Sequence, residues 1–170
     1  PIWGVVNASI CSEVPADLEE IRAYRITGVV DDATCKEIHR FTPDGTVRYS
    51  VGLIDYGAKR NILRSLTARG CRVTAVPCNT PAEEILSLSP DGLMLSNGPG
   101  DPAENTYCIE QLKKMIGRLP VFGICLGHQL AALAMGGKTE KLKYGHRGAN
   151  QPVRRLSDGR TFITARTTAT

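Results

Sequence analysis

Short apolar runs alternate with helical segments between residues 49 and 137, and this alternation constrains the fold more than any other feature of the chain. Runs with the length and composition of strands are Tyr49–Asp55, Cys71–Val76, Gly92–Ser96 and Leu119–Ile124. Apolar residues recur at helical spacing in Lys59–Arg69, 104–116 and Leu126–Met135. A further helix is predicted with Thr80 as its N-cap and Pro81 as its first residue. Because parallel strands need crossover connections, the alternation predicts an α/β fold, with a mostly parallel sheet and helices on both faces.

In such sheets, ligands bind outside the carboxyl ends of the strands. Two segments here fit that position: Asn97–Pro102, whose two glycines and two prolines exclude regular structure, and Gly123–Gln129. The strand at Leu119–Ile124, which leads into the second segment, is expected to be fully buried. We therefore look for the functional site at these two loops.

Residues 1–45 do not share the regular alternation of strands and helices that follows them. There we predict a strand at Ile2–Val6, a helix at Pro15–Tyr24 and a turn at Thr42–Gly45. We assign residues 1–45 to the end of a partial N-terminal domain with its linker, and 46–170 to the main domain.

Beyond residue 137 the chain is richer in loops, with candidate strands at Lys138–Leu142 and Arg160–Thr164. The chain starts at Pro1, and no helical cap or charged tail closes it after Thr170. We therefore expect both ends to be cut from a longer protein, with the C-terminal part of the fold missing.

Composition excludes several classes of function. The 170 residues carry a net charge of +4 without a basic block, whereas nucleic-acid binding usually shows a clustered basic stripe. No run approaches the roughly 20 apolar residues of a membrane span. The 6 cysteines form no C-x-x-C pair and have no matching histidine cluster, which argues against a zinc site and against a redox dithiol. Without dense cysteine spacing, a disulfide framework is not expected either. We expect a cytoplasmic protein that binds no metal, nucleic acid or membrane.

The segment Val121–Gln129 carries the sharpest chemical signal. A strand enters Gly123, Cys125 follows at the turn, and a helix leaves through Gly127, which is the G-x-C-x-G pattern of a nucleophile elbow. Cys125 would lie at a helix N-terminus, where the dipole favours a negative sulfur. The N–H of Leu126 is then a natural oxyanion donor, and the Gly98–Gly100 loop could supply a second. The alternative interpretation makes Cys125 a small buried residue and the glycines mere packing sites.

A thiolate nucleophile needs a base, and a third group to orient that base. His128 is one turn after Cys125 and points in an unsuitable direction, so we interpret it as structural. His39 lies in the predicted N-terminal segment and His146 in a glycine-rich loop. The sequence thus shows no convincing histidine partner.

Two stretches, Gly123–Gln129 and Leu95–Pro102, closely resemble the class I (triad) glutamine amidotransferase family, whose fold is flavodoxin-like. Asp55–Leu63 and Lys143–Val153 narrow the resemblance to the branch that supplies ammonia to carbamoyl-phosphate synthase. The resemblance is nearly continuous from about residue 51 to 165, and residues 1–40 more loosely resemble the end of that branch's N-terminal domain.

The resemblance implies that Cys125 attacks the side-chain amide of glutamine, forms a γ-glutamyl thioester and releases ammonia. The N–H groups of Gly98 and Leu126 would form the oxyanion hole, and Gly98, Gly100, Leu126 and Gln129 would bind glutamine. The ammonia would pass to a large subunit, or to fused synthetase domains, where ATP, Mg and bicarbonate are used for arginine or pyrimidine biosynthesis. This chain itself would need no cofactor.

Two departures from the family pattern stand out. The family's catalytic His and Glu lie in a later His-Pro-Glu segment, and the family has Gln-Asn-His-Gly-aromatic where this chain has Arg166–Thr170. We therefore expect this 170-residue chain alone to be inactive. The alternatives are an inactive relative that serves as a binding or scaffold partner, another class I amidotransferase, or another hydrolase with a cysteine elbow.

Overall fold

The computed structural model describes the backbone of residues 7–24, 27–140 and 147–167, and the side chains of all of these except 147–151 and 165–167. The strands are β1 (His39–Phe41), β2 (Tyr49–Asp55), β3 (Cys71–Pro77), β4 (Gly92–Leu95), β5 (Val121–Gly123), β6 (Arg147–Arg154) and β7 (Thr161–Thr167). The α-helices are α1 (Glu19–Ala23), α2 (Val29–Ala33), α3 (Arg60–Thr67), α4 (Ala82–Ser87), α5 (Thr106–Met115) and α6 (Leu126–Ala134). One compact unit spans Thr27–Thr139, and a second consists of the segments on either side of it.

The unit Thr27–Thr139 is built on a five-stranded sheet in the order β1-β3-β2-β4-β5. Strands β2 to β5 are parallel, and β1 alone runs antiparallel to its neighbour β3. The predicted mostly parallel α/β sheet is therefore confirmed. The parallel strands follow the flavodoxin-like order, in which the chain changes direction between β2 and β4. A ligand site is expected outside the carboxyl ends of these strands.

Helices cover both faces of this sheet, as the alternation predicts. Neighbouring residues of one strand point to opposite faces, so Ile54 belongs to one apolar cluster and Leu53 to the other. The first cluster includes buried residues of α4, α5 and α6, and the second receives Ile62, Leu63 and Leu66 of α3. The sheet thus has a packed layer on each side and leaves its carboxyl edge to the loops.

Long-range pairing brings the segment before residue 45 into the same unit. His39 pairs with Ala75 and Phe41 with Val73, while Val30 of α2 is buried in the larger apolar cluster. The compact unit therefore begins at Thr27, ahead of the boundary drawn from the sequence. The assignment of 1–45 and 46–170 to two domains stays a prediction about the longer protein.

The predicted Thr80 cap is wrong, because the helix begins at Ala82 with Pro81 as its N-cap. The Thr80 hydroxyl donates instead to the carbonyl of Pro77, at 2.8 Å. The amide of Ala82 is satisfied by Oε1 of Gln111 in α5, at 3.0 Å. A side chain of the neighbouring helix α5 therefore satisfies the amide at the start of α4, a role that the local pattern assigned to Thr80.

The expectation of a fully buried fourth strand is also wrong. Strand β5 has only three residues, and the side chain of Phe122 is 67% exposed. Among the described residues β5 pairs only with β4, so it lies at an edge of the sheet. Apolar composition alone does not distinguish an edge strand from a central one.

The second unit contains α1 and an antiparallel hairpin of β6 and β7 with an irregularity between Gly148 and Gln151. Helix α1 is shorter than the predicted Pro15–Tyr24, and β7 contains most of the predicted Arg160–Thr164 strand. The predicted strand at Ile2–Val6 lies outside the described residues. Lys138–Glu140 have no regular structure, and the remainder of that predicted strand is likewise outside the described residues.

Candidate active site

The two loops singled out in the sequence lie side by side at the carboxyl edge of the sheet. Leu95, the last residue of β4, pairs with Gly123, the last residue of β5. Beyond that pair, the Ile124 amide donates to the Leu95 carbonyl and the Gly127 amide donates to the Ser96 carbonyl, at 3.0 and 3.1 Å. The β4 loop and the elbow are therefore hydrogen-bonded to each other.

Cys125 has the backbone conformation of a nucleophile elbow. Its φ of 53° and ψ of −113° lie in a region that L-residues rarely adopt, and the residue is exposed at the N-cap of α6. Strain of this kind is found where a fold over-determines the position of a functional side chain. The exposed position excludes the alternative that Cys125 is a buried packing residue.

The glycines that flank Cys125 are required by close approach of backbone atoms. A Cβ atom on Gly123 would lie 2.6 Å from the His128 amide nitrogen, and one on Gly127 would lie 2.5 Å from the Leu95 carbonyl oxygen. Real Cβ atoms essentially never come this close to backbone. The G-x-C-x-G spacing therefore reflects a tight turn between strand and helix, as the sequence predicts.

Gly98 and Leu126 are brought into direct contact. A Cβ atom on Gly98 would lie 2.7 Å from Cδ2 of Leu126 and would also collide with the carbonyl oxygen of Tyr56. The amides of Gly98 and Leu126 donate to no acceptor among the described residues. Gly98 and Leu126 thus offer two free N–H groups next to an exposed thiol. An oxyanion hole is built from donors of this kind.

The other two residues assigned to glutamine binding lie on the same two segments. Gly100 has a φ of +85° on the β4 loop, and a Cβ atom there would lie 2.5 Å from Cγ2 of Val29. Gln129 is half-buried on α6, and its backbone amide donates to the carbonyl of Cys125 at 3.1 Å. The geometry places all of the predicted site residues on these two segments and leaves their roles as predictions.

Sequence reasoning gave no role to a set of polar side chains that hold the two loops after β2 and β4 together. The Tyr56 amide donates to Oγ of Ser96 at 2.8 Å. Asn97 joins the loops from both directions, because it donates to the Gly57 carbonyl and accepts from the Lys59 amide. The partners are about forty residues apart in sequence, so no local pattern identifies them. Their common position directly after a strand is the one available signal.

Asp55, the last residue of β2, fixes the start of its loop. Its Oδ1 accepts from the amides of Gly57 and Ala58, at 2.9 and 2.6 Å, and its Oδ2 accepts from the Cys35 amide at 2.9 Å. Buried next to this loop, Tyr56 has its hydroxyl pKa raised well above the usual value, mainly by burial. The loop that supports Gly98 is thereby anchored in both backbone and core.

Cys35 is the other partly exposed thiol of this unit, and its electrostatics differ from what a nucleophile needs. Burial raises the pKa of the Cys35 thiol to about 11, and the neighbouring Asp55 carboxylate contributes in the same direction. A thiol with this pKa stays protonated at neutral pH, and the thiol form is a poor nucleophile. Cys125 therefore remains the candidate nucleophile.

No histidine within the described residues donates to or accepts from Cys125. His128 is exposed on α6 without a side-chain hydrogen bond, so the structural role predicted for it has no contact to support it. His39 lies in β1, and His146 falls outside the described residues. The described part of the chain also contains no helix able to span a membrane and no cluster of three or more metal-ligating side chains.

Comparison with known families agrees with this arrangement. The profile of the family described as glutamine amidotransferase class-I matches residues 52–169, so the chain belongs to that family. Within it, the chain is similar to proteins named carbamoyl phosphate synthase small chain. It is 46% identical to the one from Syntrophotalea carbinolica over 94% of this chain and 47% of the relative. It is 49% identical to the one from Symbiobacterium thermophilum over 91% of this chain and 42% of the relative.

A third relative of the same name, from Staphylococcus haemolyticus, is 60% identical over 68% of this chain and 32% of its own length. The chain thus spans less than half the length of these curated relatives. The family membership confirms the resemblance to class I amidotransferases.

Proposed function

We propose that the full-length protein is the glutamine-hydrolysing subunit of a carbamoyl-phosphate synthase, with Cys125 as its nucleophile. Family membership supports glutamine as the substrate, and the names of the relatives support the assembly with a synthase. The observation that carries the proposal is the strained, exposed Cys125 beside the free amides of Leu126 and Gly98.

The chemistry begins with attack of the Cys125 sulfur on the side-chain carbonyl carbon of glutamine. The carbonyl π electrons move to oxygen, and the amides of Gly98 and Leu126 donate to the resulting oxyanion. Donors aimed in advance at such an oxygen each contribute about 10² to 10³ in rate. As the C–N bond breaks, the nitrogen takes up a proton and leaves as ammonia, so that a γ-glutamyl thioester remains on Cys125. Water then attacks the thioester and releases glutamate and the thiol.

Proton transfer in these steps needs a general base and acid. In this proposal a histidine and a glutamate from another part of the full-length protein carry it out, as the resemblance to the family implies. The ammonia then passes to the large subunit, which uses ATP, Mg and bicarbonate to make carbamoyl phosphate. Such a biosynthetic subunit would work in the cytoplasm.

A glutamine-mimicking electrophile tests this assignment in the full-length protein. Peptide mass spectrometry is expected to find the label on Cys125, and free glutamine is expected to slow the labelling. A Cys125→Ser variant should remain unlabelled, whereas a Cys11→Ser variant, which removes another exposed thiol, should label normally. Glutamine-independent labelling, or labelling centred on another cysteine, would contradict the assignment and favour a binding or scaffold role.

A further inference from the structure

Two thiols, Cys78 and Cys108, lie together and take no part in the glutamine hydrolysis proposed above. Cys78 follows β3, and Cys108 is in the first turn of α5, thirty residues further along. The Cys108 sulfur donates to the Cys78 carbonyl oxygen at 3.4 Å, and a hydrogen bond between the two side chains shifts the pKa of both thiols. No other two cysteines among the described residues share a hydrogen bond.

The shared hydrogen bond makes the two thiols chemically unequal. It lowers the pKa of Cys78, against the opposing effects of burial and of Asp31, whose Oδ1 lies 3.6 Å from the Cys78 sulfur. The same hydrogen bond, followed by burial, raises the pKa of Cys108 far above its ordinary value. Cys78 is thus the thiol that deprotonates first, and Cys108 holds its proton beside it.

A cavity gives small molecules a place next to this pair. Its volume is about 190 Å³, and Cys78 and Cys108 line it together with Asp31, Gly100 and Tyr107. A water molecule takes up about 30 Å³ in the liquid, so a peroxide fits easily. The side chains themselves are only 3% and 7% exposed, so the cavity is the route to the sulfur atoms.

We propose that Cys78 and Cys108 form a redox-modification site, at which a small peroxide converts the two thiols into an intramolecular disulfide. The Cys78 thiolate attacks one peroxide oxygen, the O–O bond breaks, and the departing hydroxide takes up a proton to give water. The Cys108 sulfur then attacks the resulting Cys78 sulfenic acid, the S–O bond breaks, and a second water leaves. Two sulfur atoms are oxidised together by two electrons, and the peroxide is reduced. The proposal does not depend on glutamine hydrolysis.

The sequence makes the product easy to recognise. Trypsin releases Val73–Lys113 as one peptide that carries Cys78, Cys108 and no other cysteine. After the full-length protein is treated with hydrogen peroxide and the free thiols are alkylated, this peptide should be unalkylated and lighter by two hydrogen atoms. After further cleavage behind Glu83 and Glu104, the piece with Cys78 and the piece with Cys108 should stay joined until the disulfide is reduced.

Variants supply the controls. Cys71 is buried without a neighbouring thiol, so Cys71→Ala should leave the disulfide yield unchanged. Cys108→Ser keeps a hydrogen-bond donor beside Cys78 but cannot form a disulfide, so it should stop the reaction at a sulfenic acid on Cys78, which dimedone traps. The measurement on the unsubstituted protein decides the matter even where a variant fails to fold. Full alkylation of both cysteines at a peroxide dose that oxidises Cys125, or a disulfide that links separate chains, would overturn the proposal.

Discussion

The backbone of Gly98 rests directly on Leu126, because a Cβ atom at position 98 would lie 2.7 Å from the Leu126 Cδ2 atom. This contact joins the loop after β4 to the first residue of α6. The backbone amides of both residues have no acceptor among the described residues. The contact explains why position 98, in the loop that follows the neighbouring strand, has no room for a side chain larger than that of glycine.

Substitution of Gly98 by alanine should therefore disable the site. The added methyl group collides with the Tyr56 carbonyl and with Leu126, so the loop must move, and with it the amide that we propose as an oxyanion donor. We expect the rate of glutamine hydrolysis by the full-length protein to fall about 10²- to 10³-fold. Gly45→Ala is the matched control, because nothing lies within 4 Å of its Cβ position. Equal rates for the two variants would refute the role assigned to Gly98.

The strained backbone at Cys125 predicts an unusual order of stability among its variants. Glycine relieves the cost of a φ of 53° and a ψ of −113°, whereas alanine retains it. Glycine also loses more chain entropy on folding, which offsets part of the gain. We expect the free energy of unfolding of Cys125→Gly to exceed that of Cys125→Ala by about 1 kcal/mol in urea denaturation. A lower value for the glycine variant would show that the elbow is unstrained.

Asp55 should contribute more to stability than an ordinary surface aspartate. Asp55→Ala leaves the amides of Gly57, Ala58 and Cys35 without their acceptor. We expect a loss of roughly 1–3 kcal/mol in the free energy of unfolding. Asp44→Ala removes an exposed carboxylate that accepts no hydrogen bond from the described residues, and it should change stability little. Similar losses for both variants would contradict the role given to Asp55.

Cys35 should react slowly with alkylating agents at neutral pH. The pKa of the Cys35 thiol is about 11. Its thiolate fraction therefore still rises with pH in the range where an ordinary thiol is already fully ionised, and the thiolate is the form that reacts. Mass spectrometry of iodoacetamide-treated protein across a pH series measures this rate. Asp55→Asn should increase the rate at a given pH, because it removes the negative charge that favours the thiol. A rate that levels off near pH 9 would contradict the raised pKa.

Local patterns predicted the parts of the molecule that depend on nearby residues. The boundaries of β2 agree with the sequence because its apolar run lies between Gly45 and Gly57, and the elbow around Cys125 follows from glycine spacing alone. The exposure of Phe122, the cap of α4 and the pairing of β1 with β3 depend on distant segments.

The site shows the same division. Strand ends and glycines in the sequence pointed to Cys125, Leu126 and the Gly98–Gly100 loop, and the roles of these residues stay predictions. Asp55, Ser96 and Asn97 were assigned no role, because their partners lie in other loops. A polar residue that directly follows a strand is a signal for such contacts, and it does not identify the partner.

Release of ammonia from glutamine by the full-length protein, measured together with the mass of the Cys125 peptide during turnover, tests the central claim most directly. We predict that ammonia is released, that a fraction of the peptide carries a γ-glutamyl group, and that Cys125→Ala abolishes both signals. Release of ammonia that persists in Cys125→Ala, without any glutamyl group on the unsubstituted protein, would contradict the assignment of Cys125 as the nucleophile.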